Sequence, residues 1–108
     1  MNQLVEIFVI ESLQTEVNQS DDKTKKLFEK QKRFMSSNQY YPSLGRKKLK
    51  NVQDKYGNDL YEIRLDRKRR IIFVEKKERI IWLKICAHDE LKRKNTIHVA
   101  DNYTKDRC

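Results

Sequence analysis

Three runs in the second half of the chain decide how it folds: DLYEIRLD (59–66), RRIIFVEK (69–76) and RIIWLKICAH (79–88). Each is dense in β-branched and aromatic residues, which suit a pleated, half-buried surface. Only Arg67-Lys68 and Lys77-Glu78 separate them. Such links are too short for a crossover helix, so the runs must fold back on one another as antiparallel hairpins. Upstream, Gly57-Asn58 is a turn signal. Before it lies the Arg46–Lys50 segment, with Leu49 as its apolar anchor. The stretch from Tyr40 to Gly45 reads as a connection, because Pro42 restricts Tyr41 and blocks helix continuation.

The first third reads differently. Leu27, Phe28, Gln31, Phe34 and Met35 recur at helical spacing and predict an amphipathic helix of about 15 residues. Ser20, Asp21 and Asp22 supply its start signal, since acids favour a helix N-terminus. The pattern fades at Ser36-Ser37-Asn38. Ser12 is expected to cap a shorter helix, with Thr15 and Glu16 in its first turn. The opening QLVEIFVI (3–10) reads as a strand. At the other end, residues 89–104 read as a short helix followed by a frayed tail. The order is strand, two helices, then a meander. That is an α+β class: two N-terminal helices packed on a small twisted, mainly antiparallel sheet. No repeat or linker interrupts it, and one domain over 1–108 is expected.

Composition narrows the function. The chain has 108 residues, enough to bury roughly two thirds of its unfolded surface without a metal or disulfide staple. No apolar run reaches the roughly 18 residues of a membrane-spanning helix. Cys86 and Cys108 make no metal-ligand spacing and are too few for a disulfide framework. No basic-then-apolar leader opens the chain, so a cytoplasmic protein without cofactor or metal is expected. Two glycines and one proline argue against a turn-rich β-sandwich. The informative quantity is charge: 25 Lys and Arg face 16 Asp and Glu, a net charge of +9. That exceeds what solubility requires. It points to a polyanionic partner: nucleic acid, an acidic protein or an anionic surface.

Strand alternation sorts the charged residues onto faces. In 59–66, Tyr61, Ile63 and Leu65 point toward the helices, leaving Glu62 and Arg64 on the opposite, open face. In 79–88, Ile81, Leu83, Ile85 and Ala87 form the apolar set, with Trp82, Lys84, Cys86 and His88 as alternates. In 69–76 two phases compete; if Ile71 and Phe73 face the core, Arg70 joins the open face. Glu62, Arg64, Arg70, Lys84 and His88 then share one surface. Guanidinium groups there could clamp a phosphodiester, and His or Glu could move protons near neutral pH. The same pattern also describes a solvated face with cross-strand Glu–Arg pairs. Arg46, Lys47, Lys48 and Lys50 form a basic cluster, and Arg67 to Arg70 form another. Tyr40, Tyr41, Tyr56 and Trp82 are candidate stacking surfaces for single-stranded nucleic acid, or else fillers of the helix–sheet seam. Cys86 reads as a packing residue.

The succession YPSLGRKKLK, LYEIRLD and RRIIFVEKKERIIWLKICAHDE resembles the RelE/ParE superfamily of toxins from bacterial type II toxin–antitoxin systems. The resemblance covers residues 42–90 best, and the β-α-α start agrees with it. It implies a compact, microbial RNase-like fold. Many members are ribosome-dependent mRNA endoribonucleases that need no metal; ParE-branch members inhibit DNA gyrase. In both, an acidic antitoxin wraps the basic toxin. The resemblance places Arg64 at a strand cation of cleaving members. Arg70 stands at the Arg of a Tyr-Arg pair whose aromatic is Arg69 here. His88 stands near a catalytic basic residue. Lys47, Lys48 and Lys50 fall in a Lys-rich RNA- or ribosome-contacting segment, and Arg46 and Lys84 extend that basic surface. Glu62 is included from strand parity alone. Where several interferases carry a catalytic Tyr after the last strand, this chain reads ELKRKN, and its next tyrosine is Tyr103. The expected function is therefore an mRNA-cleaving toxin. A ParE-like gyrase inhibitor and a basic RNA-binding domain without activity are the alternatives.

Overall fold

The computed structural model describes residues 5–76 and 79–88. The helix expected over 89–104, the tail, His98, Tyr103 and Cys108 lie outside the described residues. Strand β1 (Glu6–Val9) leads into α1 (Glu11–Asn18) and α2 (Asp22–Ser37). A single 3-10 turn (Pro42–Leu44) precedes β2 (Lys47–Gln53), β3 (Asp59–Arg64), β4 (Arg69–Lys76) and β5 (Arg79–Ala87). The architecture is α+β, with a five-stranded sheet in the order β1-β5-β4-β3-β2. Among the described strands only the β1–β5 pair is parallel. Among the described residues no helix is long and apolar enough to cross a membrane.

Local chemistry explains most boundaries. Asp21 caps α2, its carboxylate accepting from the Thr24 N–H at 2.8 Å. The buried stripe of α2 is Thr24, Phe28, Gln31 and Met35, the spacing expected of one helical face. Gly45 closes the 3-10 turn at φ 61, a left-handed conformation that favours glycine. Asp54 holds the β2–β3 turn by accepting from the N–H groups of Tyr56 and Asn58 at 2.8 and 2.9 Å. One start signal fails: α1 is capped by Ile10, not Ser12, and makes no side-chain cap bond. Ile10 is still strand-like, its N–H donating to the Trp82 carbonyl at 3.2 Å. The helix therefore begins directly where β1 leaves its ladder, and Ser12 falls inside it. The Arg46–Lys50 segment grows into the edge strand β2, whose pairing with β3 is irregular between Lys48 and Gln53.

The helices cover one face of the sheet. Phe28 of α2 meets Trp82 of β5 edge-to-face at 5.1 Å between centroids. Register puts Tyr61, Phe73 and Trp82 in one cross-strand row on that face, and Ile63, Ile71 and Ile85 in the next. This settles the phase of β4: Ile71 and Phe73 face the helices. It also corrects β5. Ile72 pairs with Lys84 while Phe73 pairs with Trp82, so Leu83 is an extra residue in a β-bulge. Strict alternation breaks there, and Trp82 turns inward, fully buried, instead of lying beside Lys84 and Cys86. The other face is not the solvated one expected. Leu60, Ile72, Val74 and Ile81 on it are fully buried.

Candidate functional site

The cations gather on the face away from the helices. Lys47 is opposite Glu62, Glu62 opposite Ile72, and Ile72 opposite Lys84. One step along the strands, Arg64 is opposite Arg70, and Arg70 opposite Cys86. Residues in register share a face, so Lys47, Glu62, Arg64, Arg70 and Lys84 stand together on adjacent rows. Strand parity predicts Glu62, Arg64 and Lys84 on this face, with Arg70 joining them once Ile71 and Phe73 face the helices, and the ladder sets all four there.

Their environments differ. Arg64 is exposed and lies over Gly45, where a Cβ would sit 3.1 Å from its Nε. Arg70 is 9% exposed, and its Nη1 donates to the carbonyls of Asp66 at 2.9 Å, Arg69 at 3.1 Å and Arg67 at 3.4 Å. One of its terminal nitrogens is thus committed to the hairpin. Glu62 is 5% exposed and makes no hydrogen bond or ion pair among the described residues. Lys84 is half-buried. His88 is half-buried just beyond β5, its N–H donating to the Lys68 carbonyl at 2.8 Å and its Nδ1 buried without a partner among the described residues. That bond fastens the end of β5 to the β3–β4 hairpin.

The remaining sequence candidates separate. Arg46 packs into the fold. Its guanidinium lies 4.9, 4.8 and 5.1 Å from the ring centres of Tyr40, Tyr61 and Phe73, and it bridges to Glu75 at 3.1 Å. Its side chain is only 11% exposed, which removes it from the surface cluster. Lys47 and Lys50 are exposed on the edge strand, and Lys48 pairs with Asp59 at 3.2 Å. Trp82 is inaccessible as a stacking surface, whereas Tyr40 and Tyr56 remain exposed. Tyr41 is exposed on one side and stacks on Phe34 with the other, at 4.7 Å.

Sequence reasoning missed a concavity beside the row. A cleft of about 550 Å³ opens between α2 and the β3–β4 hairpin, with Lys30, Ser43, Arg64 and Arg67 on its walls. Lys30 and Ser43 come from separate elements, so no local spacing could mark them. The cleft also carries Asp66, whose carboxylate accepts from Arg69 at 2.7 and 3.0 Å and from the N–H groups of Lys68 and Arg69. Burial disfavours its charge, but those hydrogen bonds and the Arg69 charge together hold its pKa below the ordinary 3.8. Arg69 also donates to Thr24 Oγ1 at 3.0 Å, tying the hairpin to α2. Among the described residues no cluster of three His, Cys, Asp or Glu side chains could hold a metal.

The helix pair on a mainly antiparallel five-stranded sheet is a RelE-like fold. The solved archaeal RelE–RelB complex from Pyrococcus horikoshii OT3 contains a similar chain. It matches with a TM-score of 0.63 and 16% identity, over 79% of this chain and 96% of that one. A copper-bound mutant toxin from Helicobacter pylori matches with a TM-score of 0.49 and 16% identity, over 82% and 99%. No protein-family model matches the chain, and no curated protein matches its sequence.

Proposed function

We propose that this protein is the toxin of a type II toxin–antitoxin system and a metal-independent, ribosome-dependent mRNA endoribonuclease. The observation that carries this reading is the ladder placing Arg64 opposite Arg70, one row from Glu62 and Lys84. The chemistry is an internal transfer. Glu62 or His88 takes the proton from a ribose 2′-hydroxyl, and the 2′-oxygen forms a bond to the adjacent phosphorus. The bond from phosphorus to the 5′-oxygen breaks, and His88 returns a proton to that oxygen. Products are a 2′,3′-cyclic phosphate and a 5′-hydroxyl. Arg64, with the uncommitted side of Arg70, offsets the charge that grows on the phosphorane. Lys47 and Lys84 hold the flanking backbone, with Lys48 and Lys50 adding charge along the edge strand. The +9 charge and the RelE-like fold support an acidic antitoxin as partner.

A second reading is a non-enzymatic inhibitor of DNA gyrase. One observation favours it: Arg70 spends Nη1 on hairpin carbonyls and is nearly buried. Induced expression separates the two. Cleavage requires growth arrest with new message ends carrying 5′-hydroxyls, abolished by Arg64→Ala. Arrest with intact messages and DNA-damage signalling would instead establish the inhibitor. No arrest at all would leave a basic RNA-binding domain.

A further inference from the structure

The cleft between α2 and the β3–β4 hairpin stands outside the cross-strand row, sharing only its arginines. Its volume, about 550 Å³, falls in the roughly 300–1,000 Å³ range of small-ligand sites. Lys30, Arg64 and Arg67 are all exposed on its walls, and none has a carboxylate partner among the described residues. The one carboxylate present, Asp66, is already saturated by Arg69 and two backbone N–H groups. The cleft therefore concentrates unneutralised positive charge, an arrangement that like-charge repulsion disfavours unless an anion enters. Ser43 adds a hydroxyl from the 3-10 turn. On the other side of the same turn, the exposed rings of Tyr40 and Tyr41 line a neighbouring concavity with Lys47 and Lys48. Phosphate-binding cations next to open aromatic rings suit a strand whose base faces are unpaired; a duplex hides them.

We propose that this cleft binds a backbone phosphate of single-stranded RNA next to the scissile one, with Lys30, Arg64 and Arg67 as cations and Ser43 as hydroxyl donor. The assignment deepens the RNA reading and rests on it. It gives α2 a direct part in substrate binding and makes Arg64 the link between the cleft and the row.

The test uses the full chain and a fluorescent 2′-O-methyl oligouridine, which resists attack by its own 2′-oxygen. Anisotropy is followed against salt. Lys30→Ala with Arg67→Ala is expected to weaken binding roughly tenfold and to lower the slope of log affinity on log salt by about 0.7 per cation. Lys30→Arg with Arg67→Lys should restore both. Lys25→Ala with Lys32→Ala, on α2 outside the cleft, removes equal charge. An equal loss in that control, an unchanged slope in the cleft variant, or no binding by the wild type would each overturn the proposal. Loss of affinity for polyglutamate but not RNA would also overturn it, assigning the cleft to an acidic protein. Cleavage is scored separately on ribosome-bound message. Binding that depends on the cleft without any cleavage sinks the nuclease reading alone; cleavage with unchanged cleft variants sinks the cleft alone.

Discussion

Arg64 and Arg70 are direct cross-strand partners in the β3–β4 ladder. Like charges directly opposite one another are normally destabilising. Here the two side chains have different neighbours. Arg70 turns onto the carbonyls of the hairpin that follows β3, while Arg64 extends over Gly45 on the β2 side. The pair thus divides the work: one arginine is fastened, and the other is exposed with no side-chain hydrogen bond or ion pair among the described residues.

That division is expected to separate stability from activity. Arg64→Ala should leave thermal stability within about 0.5 kcal/mol, the usual range for an exposed site. It should still cost at least about 2 kcal/mol in the cleavage barrier, some thirtyfold in rate. Arg70→Ala removes charge-assisted bonds from a nearly buried position and should cost about 1–3 kcal/mol of folding stability as well. Thermal melts and transcript-end counts on the two variants check this. Equal melting temperatures for both would contradict the assignment.

Arg46 is expected to behave as a structural residue. Three rings and Glu75 surround its guanidinium. Lysine has neither the planar face nor the fork, so Arg46→Lys keeps the charge but loses the stacking. A stability loss of about 1–2 kcal/mol is expected, with RNA affinity per folded molecule unchanged. Denaturant melts beside anisotropy titrations measure both. A large affinity loss with no stability loss would return Arg46 to the RNA surface.

Gly45 sets where Arg64 can lie. Its φ of 61 disfavours any side chain, and an added Cβ would come within 3.1 Å of Arg64 Nε. Gly45→Ala should cost about 1–2 kcal/mol from the left-handed backbone. It should also push Arg64 aside, lowering cleavage beyond what the lost folded fraction explains. If activity merely tracks the folded fraction, the contact positions nothing.

Asp66 links the hairpin to acid stability. Its carboxyl titrates lower in the folded chain than the ordinary 3.8. A depressed folded pKa stabilises the native state above the unfolded pKa, and that contribution is lost as pH falls through the folded value. The wild type should therefore lose stability progressively below about pH 4, and Asp66→Asn should show a shallower acid limb. Chemical denaturation at stepped pH reads the slopes directly; parallel limbs would remove Asp66 from the account.

Much of this was legible from single residues and their spacing. The Leu27–Met35 stripe and the Asp21 cap are local signals, and α2 forms where they place it. Parity in β3 put Glu62 and Arg64 on the correct face because that strand has no bulge between them. What failed was non-local. The cage around Arg46 draws on the connection, β3 and β4, and nothing within the Arg46–Lys50 run distinguishes a caged cation from its exposed neighbours. The Arg70 hydrogen bonds depend on hairpin geometry, not on residue type. In β5, plain alternation runs through Leu83 as if each residue had a partner. A bulge is a property of two strands together, and RIIWLKICA alone carries no mark of it.

The bulge supplies the last prediction. Leu83 lets β5 present Trp82 to Phe28 on the helix face and, beyond it, Lys84 to the opposite face in register with Glu62. Deleting Leu83 makes Trp82 and Lys84 neighbours in the chain, opposite Phe73 and Ile72, so regular alternation keeps each on the face it already occupies. The deletion variant should therefore keep its near-UV tryptophan signal and a cooperative melt, losing only the contacts of the buried Leu83 side chain, about 2–5 kcal/mol. The substitution Leu83→Ala keeps the extra residue and should retain both at a similar cost. A deletion variant that loses its tryptophan signal would show that the two faces depend on the bulge itself and not on which residues pair across the ladder.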